Sequence, residues 1–245
     1  GDNLTTVDLG TGRTALGITA GDSHTCALLD NASVKCWGYN FSGQLGQGVS
    51  DTDTRGDESG EMGDSLTAIN LGSGRTAKSI VAGGSHTCAL LDDNSSKCWG
   101  EGEKGQVGQE KTSDDRVPPT LSITIGTVRT ATAITAGDAH TCAILDNSSI
   151  KCWGLNDSGQ LGQGNTFNLG DNANEINPSS KIVDLGAGRT VGGIAAGDAH
   201  TCAVLDNASI KCWGGNAFGQ LGLGDTNNRG DNSSENSSEM GDNLP

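Results

Sequence analysis

The residues with most chemistry to offer are eight cysteines and four histidines, and they fall into four equal sets. His24 stands with Cys26 and Cys36, His86 with Cys88 and Cys98, His140 with Cys142 and Cys152, and His200 with Cys202 and Cys212. In every set the two cysteines are ten positions apart. Three chemistries use these residue types. Zinc would take His24, Cys26 and Cys36 from one strand face but needs a fourth ligand; Asp22, Asp138 and Asp198 precede their His by two, and the second set has Gly84 there. A catalytic site is built once, from unlike residues that meet, whereas everything here occurs four times. Disulfides are the third, and evenly spaced cysteine pairs are the pattern of an oxidising compartment. The expectation is four bridges, Cys26–Cys36, Cys88–Cys98, Cys142–Cys152 and Cys202–Cys212, no catalytic residue, and histidines that bond a neighbouring unit.

The stretch that positions each set is HTCALLDNASVKCWG, residues 24–38, which returns in close variants from His86, His140 and His200. Apolar arms flank a polar Asp-Asn step, the pattern of a β-hairpin drawn four times. With Cys26 opposite Cys36, Leu28 faces Val34 and the turn falls on Asp30, Asn31 and Ala32, residues suited to turn backbones or neighbouring them. Alternation puts His24, Cys26 and Leu28 on one face and Thr25, Ala27 and Leu29 on the other. Both faces carry apolar groups, so each hairpin should be sandwiched between neighbours.

A further chemistry is written in Asn-x-Ser/Thr. Acceptor sequons occur at Asn3, Asn31, Asn40, Asn94, Asn147, Asn156, Asn207, Asn232 and Asn236, nine of nineteen asparagines, against roughly four by chance at this Ser and Thr content. Every hairpin turn has one. In the second unit the Asn has moved one place, and Ser96 completes the sequon where the other units have Val34, Ile150 and Ile210. N-linked glycans at the turns are therefore expected, beside the plainer fact that Asn and Ser favour turns.

Two loops half-match a calcium loop, with Asp51, Asp53 and Asp57 in one and Asp225, Asn227 and Asp231 in the other. Arg55 and Arg229 at the fifth position, and the lack of a regular terminal Glu, weaken that match, so no cofactor is called for and calcium is the one candidate. The same loops contain Arg-Gly-Asp, read as repeat-derived loop sequence. The glycine-rich Ser42–Gly48 lacks the strand-to-helix setting of a nucleotide loop and reads as a tight inner turn.

Composition narrows the partners. The chain has 245 residues, 39 of them Gly, and a formal charge of −15 with no basic cluster. Nucleic acid and anionic membranes are poor partners for such a surface. No run has the length of a membrane span, and no signal peptide is recognisable; the chain opens inside the repeat pattern, as a trimmed or partial chain would.

Repeat arginines at 13, 75, 129 and 189 are 62, 54 and 60 residues apart, a length for a blade of about four antiparallel strands. In the first unit, strands are expected near Thr6 to Leu9, from Thr14 to Ala20, and over the hairpin. Counting twelve residues back from each arginine gives units 1–62, 63–116, 117–176 and 177–240, with 241–245 opening another, all in one propeller-like domain. The run AGDSHTCALLDNASVKCWGYNFSGQLGQG resembles the repeat of the regulator of chromosome condensation family in Ala-Gly-x-x-His-Thr, Trp-Gly and Gly-Gln-Leu-Gly. The resemblance implies an all-β fold of β-propeller blades, and it implies fold, not function. Four units, where the family usually has seven, and a cysteine pair in each hairpin depart from the pattern.

Four blades turning as in a seven-membered ring span only about 200° and leave two faces open. Gly241-Asp242-Asn243-Leu244 repeats Gly1-Asp2-Asn3-Leu4, so head-to-tail contact between copies is expected, and such contacts make filaments when the rotation does not close. The sequence points to an extracellular, glycosylated structural subunit of a fibre, sheath or surface layer. A secreted protein- or glycan-binding module is the second reading.

Overall fold

The computed structural model describes residues 4–48, 53–115, 122–125, 129–176, 182–232 and 239–245. Within them, each His-Thr-Cys stretch is a hairpin joined by one preceding strand. The first sheet contains β1 (Ala15–Ala20), β2 (His24–Leu29) and β3 (Val34–Gly38), and the second β4 (Ala77–Ala82), β5 (His86–Leu91) and β6 (Ser96–Gly100). The third contains β7 (Ala131–Ala136), β8 (His140–Leu145) and β9 (Ile150–Gly154), and the fourth β10 (Val191–Ala196), β11 (His200–Leu205) and β12 (Ile210–Gly214). Strands lie in chain order and pair antiparallel in every sheet.

Register follows the spacing. Cys26 stands opposite Cys36 and Leu28 opposite Val34, while Ala32 turns the chain at φ +60 and donates its N–H to the Leu29 carbonyl at 2.9 Å. All four expected disulfides are formed, with Cα separations of 4.0–4.1 Å. The middle hairpins are buried on both faces, β5, β6, β8 and β9 along their whole length.

Two expectations need correction. No strand forms near Thr6 to Leu9. In later units the equivalent segment gives one backbone bond to the blade before it, Ile69 N–H to Val34 O at 2.8 Å and Val183 N–H to Ile150 O at 3.0 Å, so it crosses between blades and does not lie along one. Among the described residues each blade has three strands, and an outer fourth is represented by a single bridge: Gly38 with Arg55, Gly100 with Asp115, Gly154 with Leu169, Gly214 with Arg229. In three of them a glycine at φ 92, 92 or 87 follows at once (Gly56, Gly170, Gly230), a left-handed backbone that turns the chain off the ladder.

The inner turn is also placed differently. Ser42–Gly48 is tight, with Gly43 at φ 80 and Gly46 at φ 68, but it packs between blades. The inner corners are Ala20-Gly21-Asp22 and its three counterparts, which together line a cavity of about 480 Å³. Backbone bonds run from first blade to second, second to third and third to fourth, and the arc stays open. The expected unit starts at Gly1, Val117 and Asn177 lie outside the described residues.

Candidate interaction faces

What holds blade to blade is one set of bonds written three times. The imidazole Nε2 of His24 meets Thr87 Oγ1 at 2.8 Å, His86 meets Thr141 at 2.8 Å, and His140 meets Thr201 at 3.0 Å. Each of those threonines donates onward to a carbonyl of the previous blade, that of Gln44, Gln106 or Gln160, at 2.8–2.9 Å. The same carbonyl accepts the indole N–H of Trp99, Trp153 or Trp213 at 2.9–3.0 Å. Those tryptophans are fully buried. At the inner corner, Asp22 N–H donates to Gly84 O, Gly84 to Asp138 and Asp138 to Asp198, at 2.9–3.2 Å. The expected role of the histidines, bonding a neighbouring unit, holds at His24, His86 and His140, while the role of the Gln carbonyl, a backbone group, left no trace in residue types.

The burial of the histidines is reflected in their basicity. Desolvation holds His24 and His140 at about 4 and His86 at about 3, against an ordinary 6.5. They are neutral hydrogen-bonding groups at neutral pH, with their sulfur neighbours spent on disulfides, so no zinc set assembles.

The set is left half-made at both ends of the arc. Among the described residues, His200, the Gln220 carbonyl and the Asp198 N–H on the fourth blade meet no next blade, and Thr25, the Trp37 indole and the Asp22 carbonyl on the first meet no previous one. Apolar side chains change with them. Ile18 is 71% exposed and Val7 54%, where Ile80 and Ile69 are 8% and 7%. Ile210 is 63% exposed and Val204 43%, where Ile150 and Ile144 are 0% and 5%. Each open face therefore presents the half that the other lacks.

Models described as the regulator of chromosome condensation (RCC1) repeat match residues 17–44, 77–106, 131–160 and 193–220 in one version, and 98–144 and 152–204 in another. The chain belongs to the RCC1-repeat family. The ultraviolet-B receptor UVR8 of Arabidopsis thaliana is 36% identical over 218 residues, 89% of this chain and 45% of the receptor. The probable E3 ubiquitin-protein ligase HERC4 of Homo sapiens is 32% identical over 213 residues, 86% of this chain and 18% of the ligase. The chain spans less than half the length of these curated relatives. Among solved structures, human WBSCR16 has a TM-score of 0.55 at 17% identity, over 88% of this chain and 65% of that one. Prp20p of Saccharomyces cerevisiae has 0.53 at 17% identity, over 96% and 63%. Both likenesses concern the fold alone.

The RCC1 blades sort the sequons. Asn31, Asn147 and Asn207 are exposed at hairpin tips, where the side-chain carbonyl accepts the hydroxyl of Ser33, Ser149 or Ser209. In the second blade Asp93 takes over that turn role. Asn94 takes the left-handed position at φ 66 and accepts Lys78 Nζ at 2.7 Å. Asn40 and Asn156 are corrections: both are fully buried, and the Asn156 amide donates to the Asn165 and Phe167 carbonyls at 2.8 and 3.0 Å while its oxygen accepts Leu161 N–H. A glycan has no room there. Asn232 is exposed, with its amide on the Gly164 carbonyl; Asn3 and Asn236 lie outside the described residues.

In the calcium-like loop of the fourth blade the fifth-position arginine takes the centre. Arg229 donates to Asp225 at 2.7 Å and to the Asn227 and Asn228 carbonyls at 2.9 and 3.0 Å, so those acceptors are spent on a guanidinium. In the first blade Arg55 lies 3.9 Å from Asp53, and Asp57 is exposed; Asp51 lies outside the described residues. The Arg229-Gly230-Asp231 turn packs on Gly159, where an added Cβ would stand 2.5 Å from the Asp231 N. That turn is an interblade contact, and Asp231 sits within it. Among the described residues no three His, Cys, Asp or Glu converge as metal ligands, and no helix is long and apolar enough to cross a membrane.

Proposed function

We propose that this RCC1-repeat protein is an extracellular, glycosylated structural protein that assembles head to tail into a fibre, sheath or surface layer, and that it catalyses nothing. The observation that carries the reading is the complementarity of the two open faces. The bonds His200, Gln220 and Asp198 fail to make are those that Thr25, Trp37 and Asp22 would complete on a second copy, in the geometry the chain already uses three times. Exposed apolar faces of this kind call for a partner, and contacts between unlike faces of identical subunits propagate.

Four disulfides favour an oxidising setting, which agrees with export and with sugars on the outer hairpin tips. A binding module would gather unlike residues on one face, whereas the inner cavity is lined by four versions of one Ala-Gly-Asp or Ala-Gly-Gly step. Electron microscopy and sedimentation of protein from a glycosylating host test the proposal. Filaments are expected; a monodisperse monomer at all concentrations would overturn it.

A further inference from the structure

Two positions in every blade have their backbone pinned in the same way while their side chains differ. The residue after Trp-Gly (Tyr39, Glu101, Leu155 or Gly215) donates its N–H to a carbonyl of its own blade, that of Ser23, Ser85, Ala139 or Ala199, at 2.7–2.9 Å. The residue before Gly-Gln (Ser42, Lys104, Ser158 or Phe218) donates its N–H to the side-chain oxygen of that Gln at 2.9–3.1 Å. Whatever one blade sets against the next at these two places, the others set there too.

The two positions meet across a joint. A Cβ on Gly215 of the fourth blade would stand 3.6 Å from Ser158 Cβ of the third. A Cβ on the glycine before it, Gly214, would stand 3.1 Å from Gln160 Cα, and those on Gly154 and Gly100 3.2 and 3.3 Å from Gln106 and Gln44 Cα, so the three internal joints share one register. That register sets Ser158 beside Gly215, Lys104 beside Leu155 and Ser42 beside Glu101, none of them aromatic. On the two open faces the same positions carry Phe218 and Tyr39, which are 94% and 48% exposed. Tyr39 is stacked on Phe41, with ring centroids 6.4 Å apart and 18° between the planes. The chain has one Tyr and three Phe, and the Tyr and two of the Phe lie in these two places.

We infer that Phe218 of one copy seats on the stacked Tyr39–Phe41 pair of a second copy, an aromatic contact that the joints within the chain do not use. The inference rests on the head-to-tail reading and adds to it the side chains that bind one copy to the next. Blades within the chain are tied by the backbone, whereas two copies must overcome the loss of free motion on association. Aromatic rings supply large contact area at little entropic cost, and paired rings attract beyond the area they bury. A ring as exposed as Phe218 also favours a covered state over an open one.

The test isolates one joint. Ile18→Lys charges the first-blade face and Ile210→Glu the fourth, so a mixture of the two proteins can form a single contact whose Kd sedimentation measures. Phe218→Ala is then added to the first protein and Tyr39→Ala to the second; both side chains are exposed enough to be removed without opening a blade. Each change should weaken the dimer about tenfold, and the two together should fall short of the product by a factor of about five, the coupling expected of rings in contact. Losses that multiply, or no loss from either change, overturn the aromatic contact and leave head-to-tail assembly standing. A parent mixture that stays monomeric removes the head-to-tail reading and this contact with it. Tyr39→Phe keeps the ring and should dimerise as the parent does; a tenfold loss there would replace the stacked contact by a bond to the hydroxyl.

Discussion

His86 Nε2 lies 2.8 Å from Thr141 Oγ1, and through that pair the second blade grips the third. Thr141 gives its hydroxyl proton to the Gln106 carbonyl, so Nε2 is the N–H donor of the pair, and burial disfavours a second proton on the other ring nitrogen. Burial lowers His24 and His140 to about 4 and His86 to about 3. Between the ordinary 6.5 and these values the unfolded chain binds more protons, so stability rises with pH across that window and is lost as pH falls through it. The melting temperature should be level above pH 7 and drop from pH 6.5 to 4, with a shallower slope in His86→Gln. A level profile through the window would show that the rings are not the linkage.

The imidazoles also need glycine behind them. A Cβ on Gly137 would stand 2.2 Å from His140 Cε1 and 2.4 Å from the Gly197 carbonyl, and a backbone carbonyl cannot step aside. Gly137→Ala should cost about 2–3 kcal/mol in denaturant unfolding. Gly192→Ala, with its nearest neighbour at 4.0 Å, should be neutral or gain about 0.5 kcal/mol. Equal effects would mean that the corner has slack.

The contrast between those glycines shows how much could be read from residue order. Cysteine spacing fixed the hairpin register, and apolar residues on both strand faces required sandwiched blades; Cys142 opposite Cys152 and the buried Trp153 follow from pattern alone. The bonds that join blades were hidden because most of them end on main-chain carbonyls, as at Gln106. The expected strand near Thr6 to Leu9 failed because Val7 has strand chemistry but its counterparts use one N–H each, toward the neighbouring blade. Asn156 passed as a sequon because the motif cannot report that its amide is fully used inside a loop.

Each disulfide closes a loop of about eleven residues, which in the chain-entropy model contributes about 2.5–3 kcal/mol. Cys142→Ala/Cys152→Ala should lose about that much, and non-reducing peptide maps of wild type should contain no bridge between different blades. A bridge between blades, or an unchanged unfolding midpoint, would contradict the hairpin staples.

Ser96 sits where Val34 and Ile150 fill the core; it is 1% exposed, and its hydroxyl has no partner. Nothing in the packing explains it; under the proposed glycosylation it completes the sequon at Asn94. Ser96→Val should stabilise the protein by about 1 kcal/mol, by removing an unsatisfied buried hydroxyl, and should remove one glycan. Glycopeptide mapping should find sugar at Asn31, Asn94, Asn147 and Asn207 and none at Asn40 or Asn156. Unmodified Asn94 in wild type from a glycosylating host would leave Ser96 without a cause.

Ile18 and Ile210 mark the two open faces at 71% and 63% exposure, so each can be charged without entering the folded core. Ile18→Lys should block the first-blade face and Ile210→Glu the fourth, each giving monomers while unfolding midpoints stay within about 0.5 kcal/mol of wild type. Mixed together they retain one good face apiece. The fourth blade of the first variant can still meet the first blade of the second, so the mixture should form dimers and stop there. Sedimentation velocity separates the cases: filaments from either variant alone would remove these faces from assembly. Two pure monomers that stay monomeric when mixed would show that the faces do not pair with each other.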